Sequence, residues 1–131
     1  MQAARVLVVD DTPAIRLLLR MNLELEGVVV TEASDGRECL QVLAGLTERG
    51  EPLPQVITLD AVMEPLDGWS TVSAIRANPA WAHLRVVMIT ASVQSHHQRR
   101  ATAVGVDAFI AKPFDPEAVL EVILAHVRGG A

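Results

Sequence analysis

The stretch Gln55–Gly68, which reads QVITLDAVMEPLDG, decides the fold of this chain. It begins with an apolar run rich in β-branched residues, which is typical of a buried strand. The run stops at Asp60, and Pro65 and Gly68 then indicate a turn. Because ligands of an open parallel sheet bind at the carboxyl ends of its strands, we expect Asp60 to take part in chemistry.

A second apolar strand with an acidic end lies near the start of the chain. Residues 5–11 read RVLVVDD and end in Asp10 and Asp11. If the two strands are neighbours in one sheet, these carboxylates converge with that of Asp60. Three carboxylates so close together repel one another unless a cation holds them. The sequence therefore predicts a cation site where the two strands end.

The rest of the chain alternates apolar runs with amphipathic segments. The predicted strands are residues 5–9, 28–33, 55–59, 85–90 and 108–111, and the predicted helices are residues 13–26, 36–46, 69–77, 95–104 and 116–127. We interpret residues 47–54, which contain Gly50, Pro52 and Pro54, as a loop. Five strands that alternate with five helices predict a three-layer α/β domain with a parallel sheet.

Polar residues precede three of the predicted helices and can cap their first turns. Thr12 is the candidate for the first helix, Ser34 or Asp35 for the second, and Asp115 for the last. Side-chain oxygens of these types accept hydrogen bonds from backbone N–H groups that the first turn of a helix leaves unpaired. We therefore expect the helices to begin directly after these residues.

The first helix has apolar side chains on more than one face. At about 100° per residue, the face predicted to join the core consists of Ile15, Leu18, Leu19 and Leu25. Leu17 and Met21 fall outside this face and lie next to each other because they are four residues apart. Two interpretations remain open: neighbouring side chains partly cover the pair, or the pair is a docking patch.

Composition excludes several functional classes. With 131 residues, of which 50% are hydrophobic, we expect one compact domain over residues 1–131. The formal charge of -5 argues against a nucleic-acid-binding surface. Cys39 is the only cysteine, which excludes an internal disulfide and indicates a reducing compartment. The sequence after Met1 lacks the apolar length of a signal peptide or a membrane span, so we predict a cytoplasmic protein.

The predicted strand ends bring together five polar side chains that suit phosphoryl transfer. They are Asp10, Asp11, Asp60, Thr90 and Lys112. A carboxylate can act as the nucleophile and form an aspartyl phosphate, and we assign this role to Asp60. Asp10 and Asp11 would hold Mg²⁺, a hard cation that prefers a few carboxylates. Lys112 would neutralise phosphoryl oxygens, and the hydroxyl of Thr90 would donate a hydrogen bond to them.

With these residues, the sequence closely resembles the response-regulator receiver domains of two-component signalling. The matching stretches cover nearly the whole chain: residues 6–11 (VLVVDD), 32–36 (EASDG), 59–60 (LD) with Met63, 67–68 (DG), 89–91 (ITA) and 105–114 (GVDAFIAKPF). The resemblance implies a flavodoxin-like, doubly wound sheet of five parallel strands in the order 2-1-3-4-5, with five helices. It also implies a receiver of single-domain type.

The resemblance implies roles for the residues of the site. Asp60 would accept a phosphoryl group from a phosphohistidine on a sensor histidine kinase or a histidine phosphotransfer protein. Asp11, Asp60 and the backbone carbonyl of Val62 would bind Mg²⁺, with Asp10 assisting.

The resemblance also implies how the signal leaves the domain. Thr90 and Phe109 match the family's switch pair, in which the hydroxyl turns toward the phosphoryl group and the aromatic ring follows it inward. The output face would be the fourth helix, the fifth strand and the fifth helix. We expect a monomer or weak dimer that contacts a downstream protein, without nucleic acid or membrane partners.

One loop departs from the family pattern. The family usually has proline directly after the methionine that matches Met63, whereas Glu64 stands there and Pro65 follows. Two interpretations of Glu64 remain open: it adds an acid beside the metal, or it is an exposed loop residue.

Two further positions bear on the lifetime of the phosphoryl group. Val62 and Ser92 lie two residues after Asp60 and Thr90, and in receiver domains these positions flank the phosphoryl group. Valine offers no hydrogen bond that would orient an attacking water. We therefore predict slow self-hydrolysis.

Other functional classes remain as alternatives to a switch that catalyses only its own phosphorylation and dephosphorylation. A phosphate relay or sink would pass the group on without an output of its own. An aspartyl-phosphate phosphotransferase or phosphatase of the dehalogenase type would need a second acid where Val62 stands. A flavodoxin-like cofactor binder would need a phosphate loop rich in glycine, serine and threonine after the first strand, and the sequence has none.

Overall fold

The structure, a computed structural model, describes residues 3–91 and 95–127. The strands are β1 (Arg5–Val9), β2 (Val29–Ala33), β3 (Val56–Leu59), β4 (Arg85–Thr90) and β5 (Ala108–Ala111). The helices are α1 (Pro13–Leu25), α2 (Gly36–Arg49), α3 (Gly68–Ala77), α4 (Ser95–Val104) and α5 (Pro116–Val127). Within these described ranges, no helix combines the length and the apolar character that crossing a membrane requires. The predicted α/β alternation is confirmed.

All strand pairs are parallel, and the order across the sheet is β2-β1-β3-β4-β5. Val9, the last residue of β1, lies opposite Ala33 of β2 and Leu59 of β3. Asp10 and Asp60 directly follow two of these strand ends. The doubly wound, flavodoxin-like topology is therefore the predicted one, and it brings the acidic strand ends to one edge of the sheet.

The sheet separates two apolar cores because successive side chains of a strand point to opposite faces. On one face, Leu7 and Ile57 pack with side chains of α2, α3 and α4. On the other face, Val8 packs with side chains of α1 and α5, including Leu23. The central strands are thus buried on both faces, as continuous apolar runs in a parallel sheet require.

Helix α2 is longer than the sequence predicted. It continues through Thr47 to Arg49 and ends at Gly50, whose left-handed backbone (φ 65°) closes the helix. The Thr47 hydroxyl donates to the Leu43 carbonyl at 2.8 Å and accepts the indole N–H of Trp81 at 3.0 Å. The prediction of a loop over residues 47–54 was therefore wrong for its first three residues, which belong to α2. The hydrogen bond from Trp81, which is distant in the sequence, helps to hold them in the helix.

The orientation of α1 differs from the prediction at its C-terminal end. Leu19 and Leu23 are buried, whereas Leu25 is 85% exposed and does not join the core. Leu25 lies about 200° beyond Leu23 around the helix and therefore points away from the sheet. Ile15 is half-buried against the core, and Leu18 is exposed. The leucine-rich sequence offers more than one apolar face, so periodicity alone did not identify the buried one.

Two predicted helix caps are confirmed. Asp35 Oδ1 accepts the backbone N–H of Glu38 at 2.9 Å, and Asp115 Oδ1 accepts that of Glu117 at 3.1 Å. The alternative cap of α2 is not used, since the Ser34 hydroxyl donates to the Glu38 carboxylate instead. These bonds satisfy backbone donors at the start of α2 and α5.

The first turn of α1 lacks a side-chain cap. Thr12 occupies the N-cap position, but its side chain makes no capping hydrogen bond, so that prediction was wrong. The Thr12 hydroxyl instead donates to Asp11 Oδ1 at 3.4 Å, because an acceptor directly precedes it. No acidic residue lies in this turn either. Helix α1 therefore begins without the stabilisation that a cap or a negative charge provides.

The burial difference between Leu23 and Leu25 allows a matched test of the fold. Leu23→Ala should lower the free energy of unfolding by about 3 kcal/mol, because it leaves a cavity in a closed core. Leu25→Ala should change it by about 0.5 kcal/mol or less, because its side chain is exposed. Urea unfolding followed by circular dichroism measures both values. Equal losses for the two variants would contradict the orientation of α1.

Candidate functional site

Four strand ends meet at one edge of the sheet. Asp10 follows β1, Asp60 follows β3, Thr90 ends β4 and Lys112 follows β5. The first three are buried, whereas Asp11 is exposed. One carboxylate oxygen from each of Asp10, Asp11 and Asp60 lies within 4.8 Å of the others. The five residues that the sequence singled out for phosphoryl transfer are therefore brought to one place.

Lys112 joins two of the acids. Its Nζ donates to Asp10 Oδ2 and to Asp60 Oδ2, both at 2.7 Å. Burial lowers the pKa of Lys112, but the hydrogen bonds to Asp10 and Asp60 outweigh it and hold the pKa above its ordinary value. The ammonium is therefore charged at neutral pH. The Lys112 backbone N–H also donates to the Thr90 carbonyl at 2.9 Å, which fixes the loop after β5 against β4.

Backbone donors orient the remaining carboxylate oxygens. Asp10 Oδ1 accepts the N–H of Thr12 at 2.9 Å, and Asp60 Oδ1 accepts the N–H of Val62 at 3.0 Å. In each of the two buried carboxylates, one oxygen thus accepts a hydrogen bond from the Lys112 ammonium. The other accepts one from the backbone N–H two residues later. Such bonds hold a carboxylate in place before a reaction begins, which lowers the cost of reorganisation.

The loop between β3 and α3 folds tightly over Asp60. A Cβ at Gly68 would lie 2.2 Å from the Asp60 carbonyl oxygen, so only glycine fits there. The Gly68 N–H donates to the Ala61 carbonyl at 3.0 Å, and Asp67 Oδ1 accepts the N–H of Ser70 at 2.7 Å and caps α3. The Asp67-Gly68 pair of the sequence therefore fixes the backbone beside Asp60.

The donor set suits a hard divalent cation. All three acidic side chains present oxygen, the ligand atom that Mg²⁺ and Ca²⁺ prefer. Three carboxylates and one ammonium leave an excess of negative charge at this edge. A cation bound beside Asp11 would offset the repulsion among the three carboxylates that Lys112 alone does not neutralise.

The sequence singled out four further residues for the site or its switch. Val62 is 68% exposed and offers only an apolar side chain. Glu64 is exposed and, within the described residues, is not part of the acidic cluster, which favours the interpretation as a loop residue. Phe109 is half-buried against the core on β5. Ser92 lies outside the described residues.

The two apolar residues on the outer face of α1 are exposed. Leu17 is 55% exposed and Met21 56%, so neighbouring side chains cover them only in part. An apolar groove of about 440 Å³ begins beside Lys112 and reaches α1 at Ile15 and Leu18. The groove therefore lies between Lys112 and the helix that carries the exposed pair.

Arg16 contacts the site and was not identified from the sequence. Its Nη1 donates to the carbonyl oxygen of Asp10 at 2.6 Å, and its Nε donates to Glu32 Oε1 at 3.1 Å. The sequence feature that could have identified Arg16 is a positively charged residue in the first turn of a predicted helix, where positive charge is unfavourable.

Comparison with known proteins agrees with this geometry. The sequence model of the response regulator receiver domain matches residues 6–124. The chemotaxis protein CheY of Halobacterium salinarum is 34% identical over 121 residues, which cover 92% of this chain and 94% of that protein. The solved structure of Vibrio cholerae chemotaxis protein CheY4 is 31% identical, with a TM-score of 0.83, and the match covers 96% of this chain and 99% of that one.

Other relatives are longer. The DNA-binding dual master transcriptional regulator RpaA of Synechocystis is 32% identical over 124 residues, which are 95% of this chain but 49% of that protein. The chain thus spans nearly all of one curated relative and about half of another. The chain belongs to the response regulator receiver domain family of two-component signalling.

Proposed function

We propose that this chain is a phosphorylation-activated signalling switch that accepts a phosphoryl group on Asp60. The donor is a phosphohistidine on a sensor histidine kinase or a histidine phosphotransfer protein. The observation that carries the proposal is the buried carboxylate of Asp60, held by Lys112 at 2.7 Å with two further acids close by. Burying an unpaired carboxylate costs free energy, whereas a carboxylate beside an ammonium and a candidate cation-binding site suits phosphoryl transfer.

The reaction forms one bond and breaks another. A carboxylate oxygen of Asp60 attacks the phosphorus, and the bond from phosphorus to the imidazole nitrogen breaks, with its electron pair left on that nitrogen. Lys112 and the hydroxyl of Thr90 stabilise the phosphoryl oxygens as hydrogen-bond donors. The tight loop at Gly68 keeps the Asp60 backbone still while its side chain reacts.

The acids fit Mg²⁺ as the cofactor of this reaction. Asp11, Asp60 and the backbone carbonyl of Val62 would hold the ion, and Asp10 would assist. The bound ion supplies positive charge that offsets the carboxylates and the incoming phosphoryl oxygens. Asp11 is the exposed member of the cluster, which leaves it accessible to an ion from solvent.

Thr90 and Phe109 are proposed to carry the signal to the output face of α4, β5 and α5. Phe109 pairs with Met88 in the sheet register, and Thr90 lies two residues after Met88, so both side chains belong to the same face. A cavity of about 300 Å³ lies beside Phe109 and is bordered by Ala101 of α4. This space gives the ring room to move when the hydroxyl turns toward the phosphoryl group.

The switch is proposed to act in the cytoplasm as a single receiver domain over residues 1–131, as a monomer or weak dimer. It would contact an unknown downstream protein and catalyse only its own phosphorylation and dephosphorylation. The acidic net charge of -5 supports protein partners rather than nucleic acid.

Asp60→Asn should abolish covalent phosphorylation and leave the fold intact, because it removes the nucleophilic oxygen and relieves repulsion among the acids. Intact-protein mass spectrometry after incubation with acetyl phosphate and Mg²⁺ measures the adduct. Glu64→Gln is the matched control: it removes an exposed acid from the same loop and should keep the adduct. An unchanged adduct on the Asp60 variant would refute the proposed acceptor.

Changing Leu17 and Met21 together to glutamine should slow phosphotransfer from the kinase about tenfold, if this pair docks the phosphodonor. Transfer from acetyl phosphate should stay unchanged, because a small molecule needs no docking surface. Leu25→Gln, an exposed apolar position on the same helix, is the control. Equal slowing with both donors would mean that the pair has a structural role instead.

Val62→Asn should speed self-hydrolysis of the phosphorylated protein severalfold, because an amide can orient a water in line with the phosphorus. Val62→Ala separates this effect from the mere removal of crowding methyl groups. The measurement is the decay of phosphorylated protein in Mg²⁺ without any partner. Equal or slower decay of the asparagine variant would remove Val62 as the residue that sets the lifetime.

A further inference from the structure

We propose that Arg16 is a positioning residue: by holding the carbonyl of Asp10 it fixes the Asp10–Asp11 peptide and so sets the affinity of the site for divalent cations. The inference rests on the proposed function, since it concerns the same metal site. Arg16 spans two anchors, the Asp10 carbonyl oxygen at 2.6 Å and Glu32 Oε1 at 3.1 Å. Its side chain is 18% exposed, so the solvent competes little for these bonds.

Arg16 sits where a cation is unfavourable in a helix. It is the fourth residue of α1, close to the positive end of the helix dipole, and the first turn has neither a capping side chain nor an acid. Residues that break a local rule of this kind are typical of functional sites. The two bonds that Arg16 makes compensate for its position, and one of them goes directly to a residue of the site.

Glu32 provides the fixed end of the contact. It lies on β2 opposite Val8 of β1, and it also accepts a hydrogen bond from Arg20 Nη1 at 2.8 Å. The hydrogen bond from Arg20, followed by that from Arg16, lowers the pKa of Glu32 despite its partial burial. The carboxylate is therefore ionised at neutral pH and holds the Arg16 guanidinium from the neighbouring strand.

The carbonyl is the part of Asp10 that Arg16 controls. The Asp10 N–H donates to the Ala33 carbonyl at 3.2 Å, and its carboxylate is held by Lys112 and by the Thr12 N–H. Because the peptide unit is planar, a bond to the carbonyl oxygen fixes the direction in which the chain leaves Asp10.

Asp11 is the residue whose placement depends on this peptide. Its side chain is exposed, and the Thr12 hydroxyl at 3.4 Å is a long contact, so the backbone decides where the carboxylate lies. Groups that orient the ligands of a metal typically change its affinity by about 10- to 100-fold when they are removed. Arg16 would belong to this class without touching the ion.

Positioning and plain electrostatics predict opposite results. Removing a positive charge near an acidic cluster should tighten the binding of a divalent cation, because a repulsion is lost. Removing a positioning contact should weaken it. Arg20 is a matched control, since it lies one turn later on α1 and also pairs with Glu32. Its other bond is an ion pair with Glu24, whereas the other bond of Arg16 goes to the backbone carbonyl of Asp10.

The experiment measures Mg²⁺ affinity by isothermal titration calorimetry in wild type, Arg16→Met, Arg16→Lys and Arg20→Met. Arg16→Met should raise the Kd about tenfold, and Arg16→Lys should recover part of the loss because it keeps the charge but not the forked geometry. Arg20→Met should leave the Kd unchanged or slightly lower. An Arg16→Met protein that binds Mg²⁺ as tightly as wild type, or more tightly, would overturn the inference.

A second readout needs no metal. In EDTA, the ¹⁵N–¹H resonance of the Asp11 amide should shift in both Arg16 variants and stay in place in Arg20→Met. Arg16 bonds to the carbonyl of the peptide that contains this amide, whereas Arg20 bonds to Glu24 and Glu32. An unmoved Asp11 amide would also overturn the inference. If Arg16→Met does not fold, the same comparison of Mg²⁺ affinity and Asp11 amide resonance with wild type is made with Arg16→Lys and Glu32→Gln. If wild type binds no Mg²⁺, the proposed function fails, and the amide shift still decides the positioning role.

Discussion

The hydrogen bonds of the Lys112 ammonium to the carboxylates of Asp10 and Asp60 are the interaction on which this structure depends. They join residues that are 102 and 52 positions apart in the chain, so they form only when β1, β3 and the end of β5 meet at one edge. Removing Lys112 would leave two buried carboxylates without their positive partner, which is strongly destabilising. The ammonium therefore stabilises this strand arrangement over others, and it makes a cluster of acids tolerable inside the fold.

The same cluster explains why the site is ready for chemistry. Each buried carboxylate has a fixed backbone donor as well as the ammonium, and Gly68 allows the next loop to pack directly on the Asp60 carbonyl. Arg16 adds a comparable restraint on the Asp10 peptide. Groups that are already oriented need little reorganisation when charge develops, which is how electrostatic stabilisation of phosphoryl transfer becomes effective. The remaining excess of negative charge is a cost to stability that a bound cation removes.

The sequence correctly predicted those features of the fold and the site that depend on neighbouring residues in the chain. The bounds of β4, α4, β5 and α5 agree with the prediction, and the acidic strand ends followed from apolar runs that stop at Asp10 and Asp60. Errors arose where a distant contact decides the structure. The Trp81 indole holds Thr47 in the last turn of α2, and packing against the sheet buries Leu23 rather than Leu25. No periodicity in the local sequence encodes these contacts.

A crystal structure with Mg²⁺ and beryllofluoride would show whether this edge of the sheet is a phosphoryl-acceptor site. We expect beryllofluoride bonded to the carboxylate of Asp60, with Lys112 in contact with its fluorine atoms. We also expect Mg²⁺ on Asp11, Asp60 and the backbone carbonyl of Val62. Well-ordered crystals grown at saturating concentrations of both, with beryllofluoride absent from Asp60 or bound at another residue, would contradict it.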